Sequence, residues 1–374
     1  MHYDRPLEIL EELGNNPAVP LHEHLVFNVI KDMLDRVGVN YEIDLYGNIV
    51  AFIKGTMQDI PPLAFVSHMD HPGFEVDGDQ EEDGLYARAL GGVPVASIVS
   101  GMEAFAFDSM GNRFACKLLS AEDHLSRRVR VESEVLLPPR TPIVFQLEDY
   151  GLFGDTIRMR ALDDLAGCAA IVALMERLVP EPPDGDVYGI FTRAEEIGLI
   201  GARLVANSSL LPPETFVVSV ETSSVIPGVQ PGLGPIIRTG DASFTFSGKA
   251  EQVLIVARNT LLDVDDSFRS QRQLMKAGTC EATAFAVRGY RTTGMAFALG
   301  NWHNATTSIG DPEGGVAEEY IAVDDFLGGV DLIHKAANSV RHYGDSSPYL
   351  LNDDVASETI RRLSCEEDLK WTIS

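Results

Sequence analysis

The sequence is short of several things, and each shortage removes a class of explanation. Four cysteines occur in 374 residues, Cys116, Cys168, Cys280 and Cys365, none at Cys-x-x-Cys spacing. They form neither a zinc ribbon nor a disulfide framework, and all four are expected as free thiols. No run approaches the roughly 20 apolar residues of a membrane helix. The start, Met-His-Tyr-Asp-Arg-Pro, lacks the basic and continuous apolar stretches of a secretion signal. A cytoplasmic protein without a membrane partner is expected. Positive charge is also scarce: 29 Lys and Arg stand against 56 Asp and Glu, a formal charge of -27 with a pI near 4.6. No nucleic-acid partner is expected, because phosphate binding needs clustered cations.

What remains is the composition of a folded, water-soluble protein, with 45% apolar and 23% charged residues. The length suits two or three domains of roughly 150 residues each. Leu21, Leu25, Val29 and Met33 recur four apart, the mark of an amphipathic helix over 21–37. Tyr41 to Ile53 alternates around a Gly-Asn turn and predicts a hairpin, and Pro62 to Ser67 reads as a buried central strand. Between about Gly73 and Thr156 the character changes. Short apolar pieces such as Ala104–Phe107, Phe114–Leu119 and Pro142–Gln146 are separated by Gly, Asp, Asn and Pro, the pattern of a small all-β module. Helical and strand patterns then alternate again: a helix over 162–179, strands at 187–191, 215–220 and 293–299, and a helix over 323–340. The fold class expected is α/β, a mixed but mostly parallel sheet flanked by helices and interrupted by a β insertion. The expected division is residues 1–73 and 157–345 for the α/β domain, 74–156 for the insertion, and 346–374 for a C-terminal tail, a peripheral helix or docked segment.

Several polar residues share one placement, just past the end of a predicted central strand. His68 and Asp70 follow 63–66, Glu195 and Glu196 follow 187–191, Glu221 follows 216–220, and His303 follows 295–299. Open α/β sheets bind ligands at the carboxyl ends of their strands, so these groups are expected to converge. Asp163 and Asp164 stand where the chain leaves the insertion and enters a helix, and capping is the expected role of Asp164. Imidazole and carboxylate donors suit zinc or a similar divalent ion; two ions fit if one carboxylate bridges. A nearby carboxylate left unligated could then accept a proton. Glu195 and Glu196, neighbours on a strand, would point apart and take separate tasks. His22, His24, His71, His124, His334 and His342 lack the shared placement and are read as structural or exposed. A glycosidase pair is disfavoured: its two carboxyls must face each other across a sugar, and the histidines would be left without a role.

These residues resemble the co-catalytic metallo-aminopeptidases that include tetrahedral aminopeptidase and glutamyl aminopeptidase, and more distantly the zinc carboxypeptidases and deacylases. The motifs are Ser67-His-Met-Asp70 with Gly73-Phe74, Ala161-Leu-Asp-Asp164 with Gly167, Glu195-Glu-Ile-Gly-Leu199 with Gly201-Ala202, Gly234-Pro-Ile-Ile237 with Asp241, and His303; the resemblance extends over about 21–340. The resemblance implies a zinc-peptidase fold with an inserted β-barrel and assembly into a homo-oligomer, dimer-based and up to a dodecamer. It implies that His68, Asp163 and Glu221 hold one metal and Asp163, Glu196 and His303 the other, with Asp163 bridging. Asp70 would hydrogen-bond His68. Glu195 would be the general base that takes a proton from the water between two divalent ions, zinc first, with cobalt or manganese as alternatives. The implied activity is removal of N-terminal residues from peptides. Hydrolysis of N-acyl amino acids or other small amides, and a non-catalytic scaffold, are the competing readings. The chain departs from the family where Glu221 replaces an Asp, where His71-Pro72 follows the His-x-Asp motif, at Gly278-Thr-Cys-Glu-Ala282, and in the Gly300-Asn-Trp-His-Asn304 setting of His303.

Overall fold

The computed structural model describes residues 4–78, 84–121, 125, 127–343 and 357–363. His124, Cys365 and most of the expected tail lie outside them. Helices α1 (Asp4–Gly14) and α2 (His24–Val37) come first, then the hairpin of β1 (Asn40–Ile43) and β2 (Ile49–Ile53), then β3 (Leu63–His68). Six strands follow: β4 (Gly73–Val76), β5 (Leu85–Leu90), β6 (Met102–Phe107), β7 (Arg113–Leu118), β8 (Arg128–Ser133) and β9 (Pro142–Phe145), with α3 (Val95–Val99) after β5. The pair β10 (Gly151–Phe153) and β11 (Thr156–Met159) leads to α4 (Leu165–Leu178), β12 (Val187–Thr192), α5 (Ile200–Asn207), β13 (Phe216–Ser224) and β14 (Ile236–Gly240). The chain continues through α6 (Gly248–Val264), β15 (Gln271–Leu274), α7 (Glu281–Ala286), β16 (Arg291–Leu299), β17 (Glu319–Ala322) and α8 (Val323–Ala337). A last helix, α9 (Ser357–Leu363), has only exposed side chains.

The large sheet has the order β1-β2-β12-β3-β13-β16-β14-β15. Its centre, β12, β3, β13 and β16, is parallel, and antiparallel pairs join β1 to β2, β2 to β12, and β16 to β14. Burial on both faces explains why β3 reads as the uninterrupted Leu-Ala-Phe-Val-Ser-His. Helix α4 is buried almost throughout because its small and apolar residues go all the way round, packed between the sheet and α1 and α8. Its N-terminus is capped by Asp164, which accepts from Gly167 N–H at 3.2 Å.

The strands β4-β5-β8-β7-β6-β9 close into a barrel, leaving no open edge. Strands such as Arg128–Ser133 alternate buried Val with more exposed Arg and Glu, so the barrel has its own core, with Phe74 and Phe145 edge to face at 5.8 Å. Strands β10 and β11 belong to a separate three-stranded sheet, in which β11 pairs with Glu319–Ala322, rather than to the barrel. No helix among the described residues is long and apolar enough to cross a membrane.

Candidate metal centre

His68 ends β3, in register with Thr192 of β12. Glu221 lies on the neighbouring strand β13, opposite Ala296 of β16. The sequence expected it past the strand, but β13 runs on to Ser224 because Thr-Ser-Ser continues the β pattern and pairs with Phe297 to Leu299. Asp163 immediately precedes the cap of α4, joined to Asp164 by a cis peptide bond.

Glu195 and Glu196 require a different account from the expected one. Strand β12 stops at Thr192, and Ala194 and Leu199 take left-handed backbone at φ 56 and 58, so the two glutamates lie in a turn. A turn, not a pleat, sets their directions. Buried carboxylates hold that turn. Glu23 accepts from Ala194 N–H at 3.0 Å and Arg193 Nε at 2.7 Å, and Asp70 accepts from the N–H of Glu195 at 2.9 Å and of Glu196 at 3.1 Å. Asp70 also bonds His68, but through its backbone, because its carboxylate faces the turn. Its carbonyl oxygen, not its carboxylate, is the partner of His68 Nδ1 at 2.9 Å; the nearer carboxylate oxygen is 3.8 Å away because it faces the turn.

His303 sits in a short run of left-handed residues, Asn301, His303 and Asn304, at φ 52, 56 and 64. Such backbone outside glycine is costly and persists where surroundings enforce it. Here Glu319 accepts from His303 N–H at 2.8 Å, and also from Leu162 N–H at 2.8 Å and Asp163 N–H at 2.9 Å. His303 Nδ1 bonds to the Gly92 carbonyl at 3.0 Å.

These elements bring the six site residues other than Asp70 to one cavity of about 500 Å³. Asp163 lies between the histidines, with Oδ1 3.4 Å from His68 Nε2 and Oδ2 3.5 Å from His303 Nε2; Glu196 Oε1 is 3.2 Å from His303 Nε2. The donor atoms of His68, Asp163 and Glu221 fall within 4.8 Å of one another, as do those of Asp163, Glu196 and His303. His68, Glu195 and Glu196 form a third such group. Glu195 Oε2 is 3.9 Å from His68 Nε2.

Burial opposes ionisation of Asp163, but His303 and His68 outweigh it and hold its carboxyl below the usual range. Glu195 is pushed the other way. Burial raises it well above an ordinary glutamate; His68 offsets this in part, and Glu196 adds to it. Burial also raises Asp70 to about 7.

Four further residues complete the centre, none of them given a role in it by the sequence. His71, read as structural or exposed, is buried against it, bonding the Asp163 carbonyl at 2.6 Å and Asn304 Oδ1 at 3.0 Å. Trp302 Nε1 donates to Asp163 Oδ2 at 2.9 Å. Glu319 supports the loops, and its place as the first residue of the short strand β17 gave no signal. Arg238, 3% exposed, lines the same cavity, and its charge is the strongest influence opposing the rise that burial causes in the Glu221 carboxyl.

The donors present fit divalent ions. Asp163 Oδ1 and Glu196 Oε1 are buried oxygens without a hydrogen-bond partner, an arrangement that costs free energy unless something cationic meets them. Spacings of 3.2–3.5 Å match the roughly 3.4 Å between donors of a tetrahedral ion with bonds near 2.1 Å.

Comparison with known proteins agrees. Residues 128–313 match the model of the M42 glutamyl aminopeptidase family. A lysyl aminopeptidase of Pyrococcus furiosus is 24% identical over 266 residues, 62% of this chain and 73% of that one. A glutamyl aminopeptidase of Lactococcus lactis is 24% identical over 292 residues, 71% of this chain and 79% of that one. Among solved structures, the TET1 peptidase of Pyrococcus horikoshii, which can assemble into a tetrahedron or a large octahedral shell, superposes with a TM-score of 0.73 at 21% identity, covering 89% of this chain and 99% of that one. The fold, the donor set and these relatives together define a metal-dependent aminopeptidase. Over residues 128–313 the chain is similar to the M42 glutamyl aminopeptidases.

Proposed function

We propose that His68, Asp163 and Glu221 hold one divalent ion and Asp163, Glu196 and His303 a second, and that Glu195 is the general base for hydrolysis of an N-terminal peptide bond. One observation carries this reading: Asp163 offers one oxygen to each histidine, and both its Oδ1 and Glu196 Oε1 are buried without a partner. The grouping of His68 with Glu195 and Glu196 would leave Asp163 Oδ1 orphaned, so the two groups sharing Asp163 are preferred.

Bound there, the ions supply Lewis acidity toward the peptide carbonyl and make water more acidic. Glu195 does the proton work. Its carboxyl faces the cavity, outside the two groups that share Asp163, and burial places its affinity for a proton above that of an exposed glutamate, which suits a base that must also release the proton. It takes a proton from the attacking water and gives it to the departing amine. Asp70 and Glu23 keep the turn beneath it fixed, and His71 holds Asp163 from behind.

Zinc is the ion proposed, with cobalt and manganese as alternatives, because the donors are imidazole and carboxylate. The substrate is a peptide, as the names of the relatives favour over acylated amino acids. Residues 1–73 and 157–345 are proposed as the catalytic domain and 74–156 as the barrel. Homo-oligomeric assembly, dimer-based and up to a dodecamer, is supported by the TET relatives. A cytoplasmic setting accords with the free, buried thiols of Cys116, Cys168 and Cys280.

The test is Glu195→Gln, nearly the same shape without the basic oxygen. Peptide turnover should fall by about 10² to 10⁴-fold while metal content stays at the wild-type level. Near-normal turnover would remove Glu195 from the role of base.

A further inference from the structure

The barrel and the loop-borne half of the centre meet at one turn. Directly after β5 the chain runs Gly91-Gly92, and Val93 N–H closes on the Gly91 carbonyl at 3.1 Å. The Gly92 carbonyl is the partner of His303 Nδ1 at 3.0 Å, which leaves Nε2 facing Glu196 and Asp163. A Cβ on Gly92 would lie 2.5 Å from His303 Nδ1 and 2.9 Å from its Cε1, closer than real Cβ atoms approach. Gly91 adopts φ +76, and a Cβ there would stand 3.0 Å from Cβ of Glu196. Two consecutive glycines of the insertion thus press on His303 and Glu196, the two donors that the second ion would not share with the first. From the residue that leads into β8, the exposed Arg127 guanidinium donates to the Gly91 carbonyl and holds the turn.

We propose that the Gly91-Gly92 turn is a positioning element for the second ion, so that the barrel sets how tightly His303 and Glu196 bind it. The inference rests on assigning those two residues to one ion. A carbonyl that accepts from Nδ1–H fixes the tautomer with Nε2 free for a metal and fixes the ring plane as well. It does so only while the turn lies close, and closeness requires the missing side chains. His68 takes the same support from the Asp70 carbonyl, which lies outside the barrel strands, so the first ion does not depend on this turn. The consequence is a division of labour in which ion affinity at one site is coupled to barrel docking and at the other is not.

The experiment is zinc titration of the metal-free full chain by calorimetry, with the cobalt absorption spectrum as a second readout, for wild type, Gly92→Ala and Arg127→Ala. Wild type should bind two ions. In Gly92→Ala one ion should bind about 10 to 100-fold more weakly while the other is unchanged, with only one cobalt environment altered. Two unchanged ions in a folded Gly92→Ala protein would overturn the inference, as would equal weakening of both. Failure of wild type to bind two ions would instead overturn the site assignment beneath it. If Gly92→Ala does not fold, Arg127→Ala decides: a smaller weakening confined to the same ion supports the inference, and two unchanged affinities overturn it.

Discussion

His68 and Glu221 rise from adjacent parallel strands, whereas Glu196 and His303 hang from loops in left-handed backbone. The strand-borne pair inherits its position from the ladder, which fixes every neighbouring residue at once. The loop-borne pair has no ladder and is held by dedicated carboxylates: Asp70 and Glu23 under the glutamates, Glu319 under His303. Backbone N–H groups in these turns would otherwise be buried without acceptors, a loss of about 1–3 kcal/mol each. The difference teaches that the excess of acid in this chain is partly structural. Buried carboxylates stand in for the sheet where the sheet has ended.

That contrast can be broken from the loop side. Glu319→Gln should have the larger effect, because it turns an amide N–H₂ toward N–H donors that now share one acceptor. It should cost about 2 kcal/mol or more in denaturant unfolding and weaken metal binding through His303 more than through His68. An unchanged unfolding midpoint would mean that these loops hold themselves. Asp70→Asn should act more gently. Its amide would disturb the N–H groups of Glu195 and Glu196, lowering kcat/KM by about 10 to 100-fold, while the backbone carbonyl still holds His68. Loss of the first ion in this variant, seen as reduced zinc content, would show that the carboxylate serves His68 after all.

The strand-borne half was the more legible in sequence, for the same physical reason. Buried parallel strands announce themselves as apolar runs, so a His or Glu at the end of such a run stands out against its surroundings. The insertion was legible too, from the density of turn residues between short alternating strands, and the family resemblance implied its closure into a barrel. The supports of the loops were invisible. Glu23 acts on residues 170 and 171 positions away, Glu319 on residues 156 and 157 away, and His71 on Asn304. Each contact is to a backbone group or one side-chain atom and leaves no periodic trace. Glu195 and Glu196 were assigned to separate tasks by the alternation of a strand; the divergence is produced instead by a turn beginning at Ala194. Asp70 was identified as a residue of the site, but its carboxylate serves the turn and not the histidine.

The central claim is that Asp163 joins a strand-borne and a loop-borne half into one two-ion centre. Anomalous scattering from crystals grown with zinc tests it most directly. Two peaks are expected, one among His68, Asp163 and Glu221 and the other among Asp163, Glu196 and His303, each touching a different oxygen of Asp163. A single peak held by His68, Glu195 and Glu196, or no peak at saturating zinc, would contradict it.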